Sequence, residues 1–237
     1  ERGHGSLDGD THFSTNSDEA ALRAAGAVCS AVDNVMSGKA RNAFCAVRPP
    51  GHHAERATAM GFCFFNNVAI GATHAREAHN LDRVAVVDFD VHHGNGTQAM
   101  FWNQEGLLFC STHQSALYPG TGHTTETGIF GNIVNAPLPP SSGSNEFRKA
   151  METVIFPALR AFDPEFLLIS AGFDAHADDP LALLNFTDDD YGWVTEQLCA
   201  LAKKHCDGRV VSTLEGGYNL EALARSAVTH VKALLAA

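Results

Sequence analysis

The sequence predicts an α/β fold built on a mostly parallel sheet, and three observations carry that expectation. Helical and strand patterns alternate from about Ser17 to the end, as βα units feeding a parallel sheet do. The strand-like runs, such as Arg83-Val-Ala-Val-Val-Asp88, are short and apolar throughout, which suits strands buried on both faces. Polar loops containing glycine and proline follow those runs, where open α/β sheets bind their ligands. With 237 residues, 45% of them apolar, the chain has enough material for one large domain around one core.

Taken in order, Ser17 to Met36 reads as a helix with small apolar residues at helical spacing, closed by Gly38. Ala43 to Val47 reads as a strand, stopped by Pro49-Pro50-Gly51. Asn67 to His79 is the next helix, and Arg83–Asp88, Leu107–Cys110, Phe166–Ile169 and Arg209–Leu214 are the next strands. Ser144 to Phe162 reads as one helix. Thr187 to His205 is another, opened by Thr187 with Asp190 three residues on, close to a capping box. The last helix runs from about Leu220 to Leu235. Loops at 48–61, 112–131, 171–186 and 215–219 hold all the candidate chemistry.

A formal net charge of −11 argues against a phosphate-binding surface, so direct nucleic-acid contact is not expected. An acidic surface suits a cationic substrate such as a lysine-rich tail or a polyamine, although acidity more often serves solubility alone. The six cysteines show no CxxC spacing and several sit in apolar runs, as free thiols in a reducing compartment do. No apolar stretch reaches the roughly 18 residues of a membrane span, and the polar start Glu1-Arg-Gly-His4 is no signal peptide. The expectation is a soluble, cytoplasmic protein.

Four clusters carry chemistry. Asp88-Phe-Asp90-Val-His92-His93-Gly-Asn95-Gly-Thr97 follows the Arg83 strand, and in extended chain Asp88, Asp90 and His92 share one face. Buried carboxylates this close need a cation, and Asp with His suits zinc; the alternative is a capped strand end with surface histidines. Arg48-Pro-Pro-Gly-His52-His53-Ala54 offers two adjacent imidazoles for acid/base work, or merely exposed loop histidines. Ser170-Ala-Gly-Phe-Asp174-Ala-His176 supplies a carboxylate that completes an Asp-His-Asp set, leaving open the coordination position that catalytic zinc keeps; a helix N-cap is its other reading. Leu214-Glu-Gly-Gly217-Tyr218-Asn219 lets backbone approach a ligand and offers a phenol to a developing oxyanion, or is a turn.

These segments, with Gly61-Phe-Cys-Phe-Phe-Asn-Asn67 and Tyr118-Pro-Gly-Thr-Gly122, resemble in order and spacing the zinc-dependent histone deacetylases over nearly the whole chain. Asn95-Gly-Thr-Gln98 and Leu214-Glu215 are similar to the class II branch and its bacterial relatives, the histone deacetylase-like amidohydrolases. The resemblance implies the three-layer arginase/deacetylase fold, with the active site at the C-terminal strand ends, and deacetylation of acetyl-lysine in a peptide or protein. It makes Asp90, His92 and Asp174 the zinc ligands, with ferrous iron as the alternative metal. His52 and His53 become the acid/base pair; Asp88 orients His52, Asn95 stands where class I members have an aspartate beside the second histidine, so His53 is expected to be less strongly held as imidazolium, and Tyr218 donates to the substrate carbonyl. Phe62 and Tyr118 become tunnel walls beside Gly61 and Gly217, with Leu181 at the rim, although Phe62 also reads as plain core. A structural potassium ion is implied at Asp88, Asp90, His92, Ser111 and Thr112. The family carries further structure before the position of Glu1, so residues 1–237 are expected to be one deacetylase domain lacking that segment. The sheet edge or apolar surface this leaves uncovered invites self-association.

Three other functions compete. An acetylpolyamine or other small acylated amine is the nearest rival substrate, decided by loop shape. A silent acyl-lysine reader is disfavoured by Tyr218. An arginase-like two-manganese hydrolase shares the general fold, but Asp-x-Asp-x-His at 88–92 resembles the one-zinc branch.

Overall fold

The computed structural model describes residues 3–237. The chain opens with an antiparallel hairpin of β1 (His4–Ser6) and β2 (His12–Ser14), which sequence patterning did not suggest. Helix α1 (Ser17–Met36) and strand β3 (Asn42–Cys45) follow, then α2 (Asn67–His79), β4 (Val84–Asp88), α3 (Asn95–Phe101), β5 (Leu107–Gln114) and β6 (Ile133–Leu138). The second half comprises α4 (Ser144–Ala150), α5 (Phe156–Phe162), β7 (Phe166–Ala171), α6 (Asp188–His205), β8 (Val210–Leu214) and α7 (Leu220–Ala236). Six strands make one sheet in the order β3-β8-β7-β4-β5-β6, and every pairing in it is parallel.

Strand side chains alternate between faces, and the sheet accordingly divides two cores. Ala85, Val87, Leu108, Cys110, Leu167 and Ile169 point into one, packed with Met151, Ile155 and Leu159 and with Val194 and Leu198 of α6. Val84, Val86, Phe109, Phe166, Leu168 and Val211 point into the other, against Val28 and Val32 of α1 and Val68 and Ala72 of α2. The central strands are buried residue by residue, which is why they read as unbroken apolar runs. Each fully buried large side chain stabilises this three-layer arrangement by roughly 1.5–3 kcal/mol relative to exposure.

Several sequence boundaries shift for local reasons. Ser144 to Phe162 is helical but not one α-helix: Met151–Ile155 forms a wider π turn between α4 and α5, next to Pro157, which lacks an N–H for the ladder. Strand β3 ends at Cys45, because Val47 N–H donates to the Cys45 carbonyl at 2.9 Å in a tight turn. Strand β5 runs on to Gln114 because the unsuspected β6 pairs along it, from Phe109 opposite Ile133 to Gln114 opposite Leu138. Pro137 disguised β6, and a proline is tolerated there because β6 is an edge strand. No helix among the described residues is long and apolar enough to cross a membrane. All six cysteines are free.

Candidate active site

Strands β3, β8, β7 and β4 are consecutive neighbours, so the segments after them meet at one end of the sheet. Asp88 ends β4. The chain beyond it is no longer strand, and it is this turn, not an extended face shared by Asp88, Asp90 and His92, that brings Asp90 and His92 onto Asp174. Their ligand atoms all lie within 4.8 Å of one another. His92 Nδ1 is 3.1 Å from both Asp90 Oδ1 and Asp174 Oδ2.

Asp90 and Asp174 are almost wholly buried. Burial pushes the Asp174 carboxyl up to about 7, and the neighbouring Asp90 charge pushes the same way. Burial opposes the Asp90 charge too, but His52 and the His92 hydrogen bond outweigh it and hold that carboxyl low. Two buried carboxylates repelling each other around one imidazole are the donor set a divalent cation satisfies. Backbone N–H groups already fix the oxygens: Val91 N–H donates to Asp174 Oδ1 at 2.9 Å, and Gly216 N–H to Asp90 Oδ2 at 2.8 Å. Gly216 has to be glycine, because a Cβ there would strike both carboxylates.

The two histidines beside this set have different partners. His52 Nδ1 is 2.9 Å from Asp88 Oδ2, whereas His53 Nδ1 is 2.8 Å from the Asn95 side-chain carbonyl. Burial opposes the charged form of both. At His52 the Asp88 and Asp90 charges reverse that effect and raise the imidazole well above its ordinary value. His53 has no such carboxylate partner; burial and the His52 charge drive it well below. The two rings, centroids 4.1 Å apart, are therefore biased in opposite directions, His52 toward its charged form and His53 toward its neutral form. With Nδ1–H donated to Asn95, His53 keeps Nε2 as a free acceptor.

Tyr218 follows β8, close enough to Asp174 and Asp90 to feel their charges. Burial and then the Asp174 and Asp90 charges raise its phenol, so it remains a donor. Its backbone N–H donates to Asp179 Oδ2 at 2.7 Å. Its ring meets Phe62 edge-on at 6.0 Å, while Tyr118 lies edge-on to His53 at 5.1 Å. Phe62 and Tyr118 are each 38% exposed and Leu181 is 48% exposed, so Phe62 is not core. Gly61 has φ +57°, and a Cβ on it would run into the His53 ring; Gly217 precedes Tyr218 at φ +142°.

Four supports escaped sequence reasoning. Glu215, fully buried, accepts from Gly51 N–H at 2.7 Å and His52 N–H at 3.2 Å, tying the histidine loop to β8. Asp179 holds Tyr218 through its backbone, and its other oxygen accepts from Leu181 N–H at 3.0 Å. Asp10 and Thr11 of the β1–β2 hairpin accept from the Gly61 and Phe62 N–H groups, both at 3.2 Å. The Leu214-Glu215 pattern was visible as a motif, but nothing local marked Glu215 as a brace. Of the residues assigned to potassium, Asp88 and Ser111 are register partners across β4 and β5, and the buried Thr112 hydroxyl has no hydrogen-bond partner among the described residues. A surface recess of about 1220 Å³ lies to one side: Asn95 and Gln98 line it, and none of Asp90, His92 or Asp174 does.

Comparison with known proteins bears on the family and the fold. The chain is 44% identical over 235 residues to histone deacetylase 14, chloroplastic, of Arabidopsis thaliana, covering 96% of this chain and 56% of that protein. The crystal structure of the HDA15 HD domain superposes with a TM-score of 0.92 at 38% identity, covering 99% of this chain and 67% of that one. An acetylpolyamine aminohydrolase from Burkholderia pseudomallei superposes with a TM-score of 0.88 at 34% identity, covering 96% and 66%. The chain thus spans about half the length of the Arabidopsis relative. With the histone deacetylase domain matching residues 1–234, and the arginase/deacetylase arrangement of its sheet and strand ends, the chain belongs to the histone deacetylase family of hydrolases.

Proposed function

We propose that this chain is a zinc-dependent amidohydrolase that removes acetyl groups from acetyl-lysine side chains of proteins. The observation that carries the reading is the Asp90–His92–Asp174 set lying beside a histidine pair whose two partners differ in charge. Zinc held by those three residues would leave a coordination position open and supply Lewis acidity to the amide carbonyl and to water. The chain's own groups do the rest. Neutral His53 accepts a proton at Nε2 from the attacking water as its oxygen bonds to the carbonyl carbon. His52, kept as imidazolium by Asp88, holds positive charge next to that reaction. Tyr218 donates its hydroxyl hydrogen to the carbonyl oxygen as negative charge develops there. The C–N bond then breaks, the proton carried by His53 passes to the departing amine, and acetate and free lysine remain. Phe62 and Tyr118 flank an apolar approach suited to the four-carbon lysine stem, with Gly61 and Gly217 beside them and Leu181 at its rim. A structural potassium ion at Asp88, Asp90, His92, Ser111 and Thr112 rests on the family resemblance. Free thiols favour a reducing compartment, the cytoplasm.

One observation favours a second reading, hydrolysis of a small acylated amine. Burial raises the Tyr118 phenol to about 12 and the Asp10 and Asp8 charges add to the shift, so negative charge lies near this ring, which suits a cationic chain. The test is turnover of acetyl-lysine peptides against acetylpolyamines on protein of measured metal content. Higher kcat/KM on the peptides supports the first reading. Preference for the polyamines selects the second, and no turnover of either removes both.

A further inference from the structure

Away from the strand ends, α1 and α2 carry another group of metal-ligating side chains. Asp33 of α1 faces His74 and His79 of α2, and its Oδ1 stands 2.7 Å from Nε2 of each ring. The three ligand atoms all lie within 4.8 Å of one another. Asp33 has no Lys or Arg partner among the described residues, and the side-chain hydrogen bonds of both rings run to it alone. Hydrogen bonds from His74 and then His79 hold the Asp33 carboxyl below its usual range, as a negative centre between the rings.

The scaffold beneath is stiff. Helix α1 buries Val28, Ala31, Val32 and Val35 in the same core as Val68, Ala72 and Ala75 of α2, and Gly71 admits Val28 closely. Ligands on two packed helices are held more precisely than ligands on loops. His79 lies in the last turn of α2, where the helix dipole is negative and favours a cation. The side chains are 54% (Asp33), 29% (His74) and 23% (His79) exposed, so an ion can reach them from solvent and water can complete its shell. Two imidazole nitrogens and one carboxylate oxygen are donors that zinc accepts in tetrahedral coordination with a water, and that nickel and copper also tolerate.

We propose that Asp33, His74 and His79 form a second, surface site for a divalent transition cation, zinc first among them, that clips α1 to α2. The site is separate from the candidate active site and does not rest on its assignment. Neither histidine is buried, so a His74→Ala/His79→Ala double variant should fold, alanine being the best helix former. Zinc is titrated into wild type and the double variant by equilibrium dialysis, with metal analysis of each. Wild type is expected to hold about two ions per chain and the double variant about one. The deciding quantity is the difference: one ion fewer in the double variant supports the surface site, and no difference overturns it. If wild type holds one ion and the double variant none, the surface site stands and the zinc reading of Asp90, His92 and Asp174 falls. Added zinc should also raise the Tm of wild type more than that of the double variant, and equal shifts would count against the clip.

Discussion

The floor and the rim of the candidate active site are built in opposite ways. Floor groups sit at or just past the ends of central parallel strands: Asp88, Asp174 and Glu215 are fully buried, and backbone N–H groups hold their oxygens. Rim groups ride on loops: Phe62, Tyr118 and Leu181 stay 38–48% exposed, Phe62 and Tyr118 make edge-on ring contacts, and the Phe62 and Leu181 N–H groups donate to the side chains of Thr11 and Asp179. Burial makes the floor electrostatically strong, since charges there act at low dielectric and each proton is decided by a specific neighbour. His52 and His53 illustrate this, adjacent in sequence yet driven in opposite directions. Exposure leaves the rim governed by shape and apolar contact. Under the proposed function, the floor would set the reaction and the rim would select what reaches it.

Removing a floor ligand should have the largest effect. Asp174→Ala is expected to lose metal at this centre together with all measurable turnover; metal analysis showing the Asp90–His92 pair still fully loaded would break the assignment. Tyr218→Phe should lower kcat by roughly 10²–10³ with metal content unchanged, because it deletes one oxyanion donor and no ligand. If turnover survives nearly intact, Tyr218 belongs with the rim. Between the histidines, His53→Ala should reduce kcat more than His52→Ala, and the reverse order would exchange their roles. The smallest change belongs to the rim itself. Leu181 is about half exposed, so Leu181→Ala forfeits roughly 1 kcal/mol of apolar contact, about a fivefold rise in KM at constant kcat. A large fall in kcat would show that the rim reaches into the chemistry.

Much of the fold was legible because burial on both faces writes itself locally: Val84–Asp88 and Phe166–Ala171 are buried at every residue, and α1 and α2 follow the helical period. Strand β6 escaped because its edge position accommodates Pro137, and the short β1–β2 hairpin because its three-residue strands lack an apolar face. The candidate ligands and the histidine pair were legible as residue types grouped after strands, and family resemblance ordered them. Their braces were not: Glu215 reaches Gly51 across 164 residues of chain, and Asp10 reaches Gly61 across 51.

By itself, the sequence determined the long helices, the buried central strands and which reactive side chains follow them, since periodicity and turn chemistry act over a few residues. Only the tertiary structure decided which carboxylate meets which imidazole. Asp33 stands 41 and 46 positions from His74 and His79, in segments whose local pattern is merely helical. Such meetings depend on how helices pack and in what order parallel strands join the sheet, and that order is set by the burial of two whole cores rather than by any local run of residues.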